Sequence, residues 1–265
     1  EVLITPNVIS CNAVIAACGR AQQWQRSLQF LRYTDDFEAN VISYNSTMTS
    51  FARSCRWQLT LELMRELSCR QSQPDLFSFN SSITSCEKAL QWQMALELFQ
   101  SILDQKLLAD VFSYSAIISS CEKCFQWQLA VHFFQQMTTS KVAANDIAFN
   151  AVLSACEKGK RWELTLHLFQ SMACSRVSPD VISYSAAMSS CAKNLQWRLA
   201  LQLFSQMCAA QLLPDVVACG AVLTCGKWQN SLWLLMQMPE MHLEPDLICY
   251  SAALSSCQKA SRWDL

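Results

Sequence analysis

Asn45 stands thirty residues ahead of Asp75, Asn80 thirty ahead of Asp110, and Asn150 thirty ahead of Asp180. An amide both donates and accepts hydrogen bonds, whereas a carboxylate only accepts. Pairs of this kind are equipped for hydrogen-bond recognition rather than bond breaking. The same two places are held by Asn12 and Asn40, Ser115 and Asn145, Ser185 and Asp215, and Gly220 and Asp246, and Ser251 opens a further copy. Asn, Ser and Gly are poor helix formers, so their recurrence within helical segments needs a reason beyond propensity. Close approach of a ligand is one reason. A tight packing point or a side-chain bond to the local backbone is the other. The second member of each pair is only ever Asn or Asp, both favoured helix caps. Capping accounts for that restriction but not for the alternation between the two types.

Two more series run in step with these pairs. Ile9, Ile42, Phe77, Phe112, Ile147, Ile182, Val217 and Ile248 are aliphatic or aromatic. Each lies two residues before an apolar position assigned to the core, about 200° away around a helix, and so faces elsewhere. It either packs on a neighbouring element or offers an apolar plate to a flat ligand. Arg20, Arg53, Lys88, Lys123, Lys158, Lys193, Lys227 and Lys259 form a row that uses eight of the twenty Lys and Arg residues. A cation near a helix C-terminus is stabilising through the dipole, and one positive charge per layer also suits a phosphate backbone.

Other chemistry finds little support. His132, His167 and His242 are scattered, so no His–carboxylate or His–Cys cluster points to catalysis or to zinc, and no cofactor or metal is expected. Seven of the fifteen cysteines, Cys18, Cys86, Cys121, Cys156, Cys191, Cys225 and Cys257, recur at one place. Stacked helix pairs set them about 10 Å apart, too far for disulfides or a shared metal, so they read as small buried thiols in a reducing compartment. Cys121 and Cys124 form a lone CxxC pair without a second.

The element that must position these residues is a repeat of 35 residues. Residues 1–7 match the tail of one copy; seven copies follow at 8–40, 41–75, 76–110, 111–145, 146–180, 181–215 and 216–246; a truncated eighth occupies 247–265. In this frame the paired residues are the fifth and the last of each repeat, the apolar series is the second, and the cations are the thirteenth. Phe51 replaces the recurrent Cys in the second copy, and the seventh has lost four residues between Val216 and Trp228.

Each copy reads as two amphipathic helices of about 11 or 12 residues, too short to be stable alone. The first carries Phe79, Ile83 and Cys86, or Tyr114, Ile118 and Cys121, or Tyr184, Met188 and Cys191 on one face; the second carries Trp92, Leu96 and Phe99, or Trp127, Val131 and Phe134, or Trp162, Leu166 and Phe169. The Trp series, from Trp24 to Trp263, is in phase with these stripes and is assigned to the core, whereas Trp233 lies off it. Pro74, Pro179, Pro214 and Pro245 stop the chain before a following helix. A fixed period of this size predicts an all-α solenoid of stacked antiparallel helix pairs.

The apolar fraction is 52%, yet no uninterrupted apolar run reaches the roughly 18 residues of a membrane span, and none is expected to contact a membrane. No targeting segment is visible in EVLITPN. The chain opens on a repeat's tail and stops inside another repeat, so it is expected to be a fragment of a longer protein.

With the openings V-I-S-Y-N and V-I-S-Y-S, the second helix A-L-E-L-F and the closing Pro-Asp, the chain resembles the pentatricopeptide repeat family over essentially its full length. It is similar to the P-type arrays, with Cys and Trp at two core places usually held by aliphatics. The resemblance implies a right-handed superhelix, monomeric, that binds single-stranded RNA at one base per repeat. It implies that the fifth and last residues bond the base edge, that second residues of adjacent repeats sandwich the base, and that the cations meet phosphate. Asn45 with Asp75, Asn80 with Asp110 and Asn150 with Asp180 then prefer uracil, Ser115 with Asn145 adenine, and Ser185 with Asp215 guanine. Asn12 with Asn40 prefers cytosine with some uracil, and Gly220 with Asp246 leans to guanine, giving 5′-(C/U)-U-U-A-U-G-(G)-3′. The family further implies a mitochondrial or chloroplast setting, RNA-processing protein partners, and a role in organelle RNA processing, stabilisation or editing without catalysis by the repeats. The net charge of −1 and pI of about 6.4 run against the usual basic character of nucleic-acid binders and imply modest affinity. The competing expectation is a solenoid scaffold that holds a peptide or protein.

Overall fold

The computed structural model describes residues 8–35, 39–70, 73–225, 228–238 and 245–259. Among these all regular structure is helical. The first helices of successive pairs are α1 (Val8–Arg20), α3 (Val41–Arg53), α5 (Leu76–Lys88), α7 (Val111–Lys123), α9 (Asp146–Lys158), α11 (Val181–Lys193), α13 (Val216–Cys225) and α15 (Leu247–Lys259). The second helices are α2 (Trp24–Asp35), α4 (Trp57–Cys69), α6 (Trp92–Asp104), α8 (Trp127–Thr139), α10 (Trp162–Cys174), α12 (Trp197–Ala209) and α14 (Trp228–Gln237). Most run 13 residues, a little longer than the periodicity implies. In the shortened repeat both α13 and α14 fall to 10 residues.

Local chemistry sets these limits. The last residue of a repeat caps the next first helix: Asn40 accepts from the Ser43 N–H at 3.0 Å, Asp75 from Ser78 at 2.8 Å, Asp110 from Ser113 at 2.9 Å and Asn145 from Ala148 at 2.9 Å. Asp180, Asp215 and Asp246 do the same toward Ser183, Ala218 and Cys249. One orphan N–H of each helix start is thereby satisfied. First helices end in a turn closed on the carbonyl of the eleventh residue, as in Gln91 N–H to Cys86 O, Arg161 to Cys156 and Gln196 to Cys191, each 2.9 Å. The residue before the closing one takes a left-handed conformation (Cys55, Leu90, Phe125, Lys160, Leu195), with φ between 55° and 59° and no glycine among them.

The described helices fall into two compact units, Glu1–Cys124 and Phe125–Leu265, the division lying between α7 and α8. In the first unit α1, α3, α5 and α7 pack side by side, and α2, α4 and α6 each wedge between their own first helix and the next. The second unit repeats this with α9, α11, α13 and α15 against α8, α10, α12 and α14.

Phe79, Ile83, Cys86, Tyr114, Ile118, Cys121, Tyr184, Met188 and Cys191 are all buried. The second helices differ from the periodic reading. Leu96, Val131 and Leu166 are only half-buried, while the residue before each, Ala95, Ala130 and Thr165, is sealed. A small side chain there lets the next first helix approach closely. The helix-start tryptophans from Trp24 to Trp228 are likewise half-buried rather than core. Their rings cover the seam with the following repeat's turn: Trp24 meets the edge of Phe51 at 6.0 Å and lies under Arg56, and Trp127 lies under Arg161. A Cβ added to Gly159 would come within 2.6 Å of the Trp127 ring. Trp263 lies outside the described residues, and Trp233 is exposed.

Buried hydroxyls also join layers. Ser27 donates to Ser50 at 3.0 Å, and Thr60 with Ser85 and Thr165 with Ser190 lie 3.2 and 3.1 Å apart. Ser120 holds the same place as Ser85, but Ala95 stands where Thr60 would answer it, and its buried hydroxyl has no partner. Of the recurrent cysteines, Cys18 is half-buried, the Cys225 side chain lies outside the description, and the others are buried. Among the described residues no helix is long and apolar enough to cross a membrane.

Candidate nucleic-acid interface

In five repeats the fifth and last residues, remote in sequence, meet in space. Asn45 Nδ2 donates to Asp75 Oδ1 at 3.1 Å and approaches Oδ2 at 3.3 Å. Asn80 Nδ2 donates to Asp110 at 3.2 Å, Asn150 Nδ2 to Asp180 at 2.9 Å, and Ser185 Oγ to Asp215 at 3.0 Å. Asn12 Nδ2 reaches Asn40 Oδ1 at 3.5 Å. The pairs exist because the last residue caps the following first helix, which lies against the helix carrying the fifth. Ser115 is buried in the first unit, and Asn145 caps α9 in the second. Asp246 caps α15, and Ser251 is exposed with its hydroxyl turned to the Ile248 carbonyl.

The capping role leaves a second group for other work. In Asp75 the Oδ1 atom accepts the Ser78 N–H and lies 2.7 Å from the Ser78 hydroxyl, which leaves Oδ2, approached by Asn45 Nδ2 at 3.3 Å, as the less occupied acceptor. In Asn40 the Oδ1 atom is taken by the N–H and hydroxyl of Ser43, so Nδ2 presents a donor. Burial pushes the Asp75 carboxyl up, but hydrogen bonds from Ser78 and Asn45 outweigh it and hold the group below its ordinary value of 3.8. Asp246 is also held low, chiefly by the Cys249 N–H. These acceptors are ionised at neutral pH.

The third residue of the following repeat, which the sequence reading passed over, belongs to this cluster. Ser78 Oγ lies 2.6 Å from Asn45 Oδ1, and Ser113 Oγ lies 2.7 Å from Asn80 Oδ1. Both serines are sealed from solvent.

All eight second-place residues are exposed, from 54% at Phe77 to 77% at Ile9. Their position on the helix turns them away from the packed face, so they are not inter-repeat core. In the first unit an open cleft of about 480 Å³ is lined by Asn45, Asp75, Ile42, Phe77, Arg20 and Arg53. In the second unit a cleft of about 440 Å³ is lined by Gly220, Asp246, Val217, Ile248 and Lys193. Each therefore gathers a fifth, a last, two consecutive second-place residues and a thirteenth-place cation. Nothing lies within 4 Å of where a Cβ on Gly220 would stand, so a side chain is simply missing from the second cleft.

The cations are not equivalent. Lys123 pairs with Glu87 and Lys193 with Glu157, each at 2.8 Å, and Lys158 lies over the Phe125 ring. Lys88 is exposed. Lys227 lies outside the described residues, as does the Lys259 side chain. No group of three or more His, Cys, Asp or Glu residues that could hold a metal occurs among the described residues.

Residues 65–227 match the family model described as the pentacotripeptide-repeat region of PRORP. The fold is similar to the pentatricopeptide repeat protein PPR10 from maize, at TM-score 0.64 and 19% identity, over 99% of this chain and 43% of that one. PPR10 in complex with an 18-nt psaJ RNA element gives 0.60 and 16%, over 99% and 44%. The PPR domain of Arabidopsis thaliana protein-only RNase P 1, in complex with tRNA, gives 0.59 and 15%, over 67% of this chain and 95% of that domain. The chain thus spans less than half the length of the PPR10 chains. No curated protein matches it. A family match over more than half the chain, together with stacked helix pairs of this period, places it plainly: the chain belongs to the pentatricopeptide repeat family.

Proposed function

We propose that this chain binds single-stranded RNA and reads it one base per repeat. The observation that carries the reading is the assembly in both clefts of two apolar plates, a last-place carboxylate and a cation, completed in the first cleft by Asn45 as the second polar group. Apolar plates suit the faces of a base, the polar pair its edge, and the cation its phosphate.

The base preferences implied by the family resemblance agree with elementary hydrogen bonding. A last-place carboxylate accepts from the ring N–H of uracil or guanine and repels the ring-nitrogen lone pair of cytosine or adenine. A last-place amide can offer an N–H to that lone pair instead. A fifth-place Asn reaches further and leaves room for a pyrimidine, whereas Ser leaves room for a purine. On the family's pattern Asn45/Asp75, Asn80/Asp110 and Asn150/Asp180 take uracil, Ser185/Asp215 guanine, Ser115/Asn145 adenine, and Asn12/Asn40 cytosine with some uracil. Gly220/Asp246 leans to guanine, the carboxylate being its only reading group.

PPR10 and the RNase P 1 domain were each captured with RNA, which supports an RNA partner for this chain as well. The reading assigns it to binding, with any RNA-processing chemistry supplied by protein partners. An organellar setting, mitochondrion or chloroplast, and a role in transcript processing, stabilisation or editing follow the family.

The test is binding to labelled single-stranded RNA containing UUAUG beside one with A and G exchanged, at about 100 mM salt, where phosphate contacts remain strong. Tighter binding to the first is expected, with the preference reversed by Asn145→Asp together with Asp215→Asn. Equal binding leaves a general RNA clamp. No binding to either turns the assignment to a peptide-holding solenoid.

A further inference from the structure

Within this reading of the clefts, we infer that the serine in the third place of the following repeat is a positioning residue for base readout: Ser78 sets the amide of Asn45, and Ser113 that of Asn80. An Asn side chain presents either a donor or an acceptor, depending on which way its amide is turned. Here the turn is fixed from both sides. Asn45 Nδ2 faces the Asp75 carboxylate, and flipping the amide would set two acceptors against each other. The Ser78 hydroxyl lies 2.6 Å from Asn45 Oδ1 and 2.7 Å from Asp75 Oδ1, so its single proton is drawn between them and the amide oxygen is kept inward. Ser113 repeats the arrangement at 2.7 Å from Asn80 and 2.9 Å from Asp110. What remains for a base is the second N–H of Nδ2, a donor suited to a uracil carbonyl.

The sequence carries the same dependence. Wherever the fifth residue is Asn, at 12, 45, 80 and 150, the third residue of the next repeat is Ser, at 43, 78, 113 and 183. Wherever it is Ser, at 115 and 185, that residue is Ala, at 148 and 218. A serine hydroxyl brings no carbonyl oxygen to be held, so the partner hydroxyl has no task there. The hydroxyls of Ser113 and Ser183 also accept from the N–H of Asp110 and Asp180 in capping boxes, but capping does not require them, because Asn145 and Asp215 cap onto the N–H of Ala148 and Ala218 at 2.9 and 2.7 Å without a third-place hydroxyl. Ala148 and Ala218 are fully buried, so alanine is accommodated at this place in the fold. After the first and fifth repeats the hydroxyls of Ser43 and Ser183 turn to the caps Asn40 and Asp180, and Asn12 Oδ1 and Asn150 Oδ1 are left unpartnered.

The experiment compares this chain and its Ser78→Ala, Asn45→Ser and doubly substituted variants, reading the discrimination between bases at the position read by the second repeat. In the unsubstituted chain the ratio is uracil over cytosine, and Ser78→Ala should lower it about fivefold, the worth of one hydrogen bond. In the Asn45→Ser background the ratio is guanine over adenine, and Ser78→Ala should leave it unchanged, because no amide remains to be oriented. A similar loss in both backgrounds would make Ser78 a general structural residue and overturn the inference. An unchanged uracil ratio in Ser78→Ala would overturn it while leaving base reading intact. No uracil preference in the unsubstituted chain would overturn both.

Discussion

Asp75 divides its carboxylate between two neighbours, holding the start of α5 through the Ser78 N–H at 2.8 Å while Asn45 lies 3.1 Å away on α3. One residue therefore serves both as helix cap and as partner of the fifth-place side chain. This explains why the last place of every repeat is restricted to Asn or Asp yet alternates between them. Either side chain caps a helix, and they differ only in what the uncapped end presents.

The shared role makes Asp75 responsive to acid. Burial raises its carboxyl, but hydrogen bonds from Ser78 and Asn45 lower it further, leaving it below 3.8. For a depressed carboxyl the associated stability is fully present above the unfolded value and is lost as pH falls through the folded one. The melting temperature should fall more steeply below pH 3.8 than that of the Asp75→Asn variant. Parallel curves in a thermal titration would remove the carboxylate from the account.

Salt dependence should separate cations that look alike in sequence. Lys123 is neutralised by Glu87, whereas Ala52 stands where a partner for Lys88 would be. Lys88→Gln is expected to reduce the slope of log affinity against log salt by about 0.7, the worth of one phosphate contact on a single strand. Lys123→Gln should reduce it much less. Equal reductions measured by RNA titration would show that the ion pair opens on binding.

One substitution should act with opposite sign at two equivalent places. Ser85 bonds Thr60 across the layer, and Ser85→Ala should cost about 1 kcal/mol. The Ser120 hydroxyl is buried without a partner, so Ser120→Ala should be neutral or stabilising by up to about 1 kcal/mol. Denaturant unfolding of the two variants settles the comparison, and a loss at Ser120 equal to that at Ser85 contradicts it.

Thiol chemistry should report the core. Burial pushes Cys86, Cys156 and Cys191 up to about 11 and Cys121 to about 12, while Cys55, Cys69 and Cys174 are exposed. A thiol-selective reagent should modify Cys55, Cys69 and Cys174 in the native protein and Cys86, Cys121, Cys156 and Cys191 only after unfolding. The stability linked to the raised thiols is present below their ordinary value of 9.0 and lost as pH rises toward about 11. Mass mapping after brief labelling at neutral pH checks the order of reactivity.

Close packing supplies a fifth test. Gly159→Ala would drive a methyl into the Trp127 ring, which cannot yield without leaving the seam it covers. A loss of about 1–3 kcal/mol in denaturant unfolding is expected from overpacking. No loss would mean that the ring moves without cost.

The period and the approximate helix limits could be read from spacing, because they depend on positions only a few residues apart on one helix, whereas spacing left open whether the second-place residues pack on a neighbour or face outward. Asn40 and Asp75 were legible as caps for the same reason. What depended on the neighbouring repeat was hidden. Trp127 reads as core from its phase on α8, but it opens the helix and meets the next turn at Gly159. Lys123 reads as an uncompensated cation until Glu87, thirty-six residues earlier, is brought to its side. Ser78 reads as an ordinary helix-start serine until Asn45 is placed against it. These residues show their roles only when one repeat is laid upon the next.

Gly220 leaves the second cleft with an apolar surround and one carboxylate but no side chain in the fifth place. In terms of information, that layer carries fewer bits than its neighbours. Under the proposed reading, a transcript is freer to drift at the corresponding nucleotide, and a single codon change placing Asn or Ser at position 220 would tighten the match without disturbing the fold.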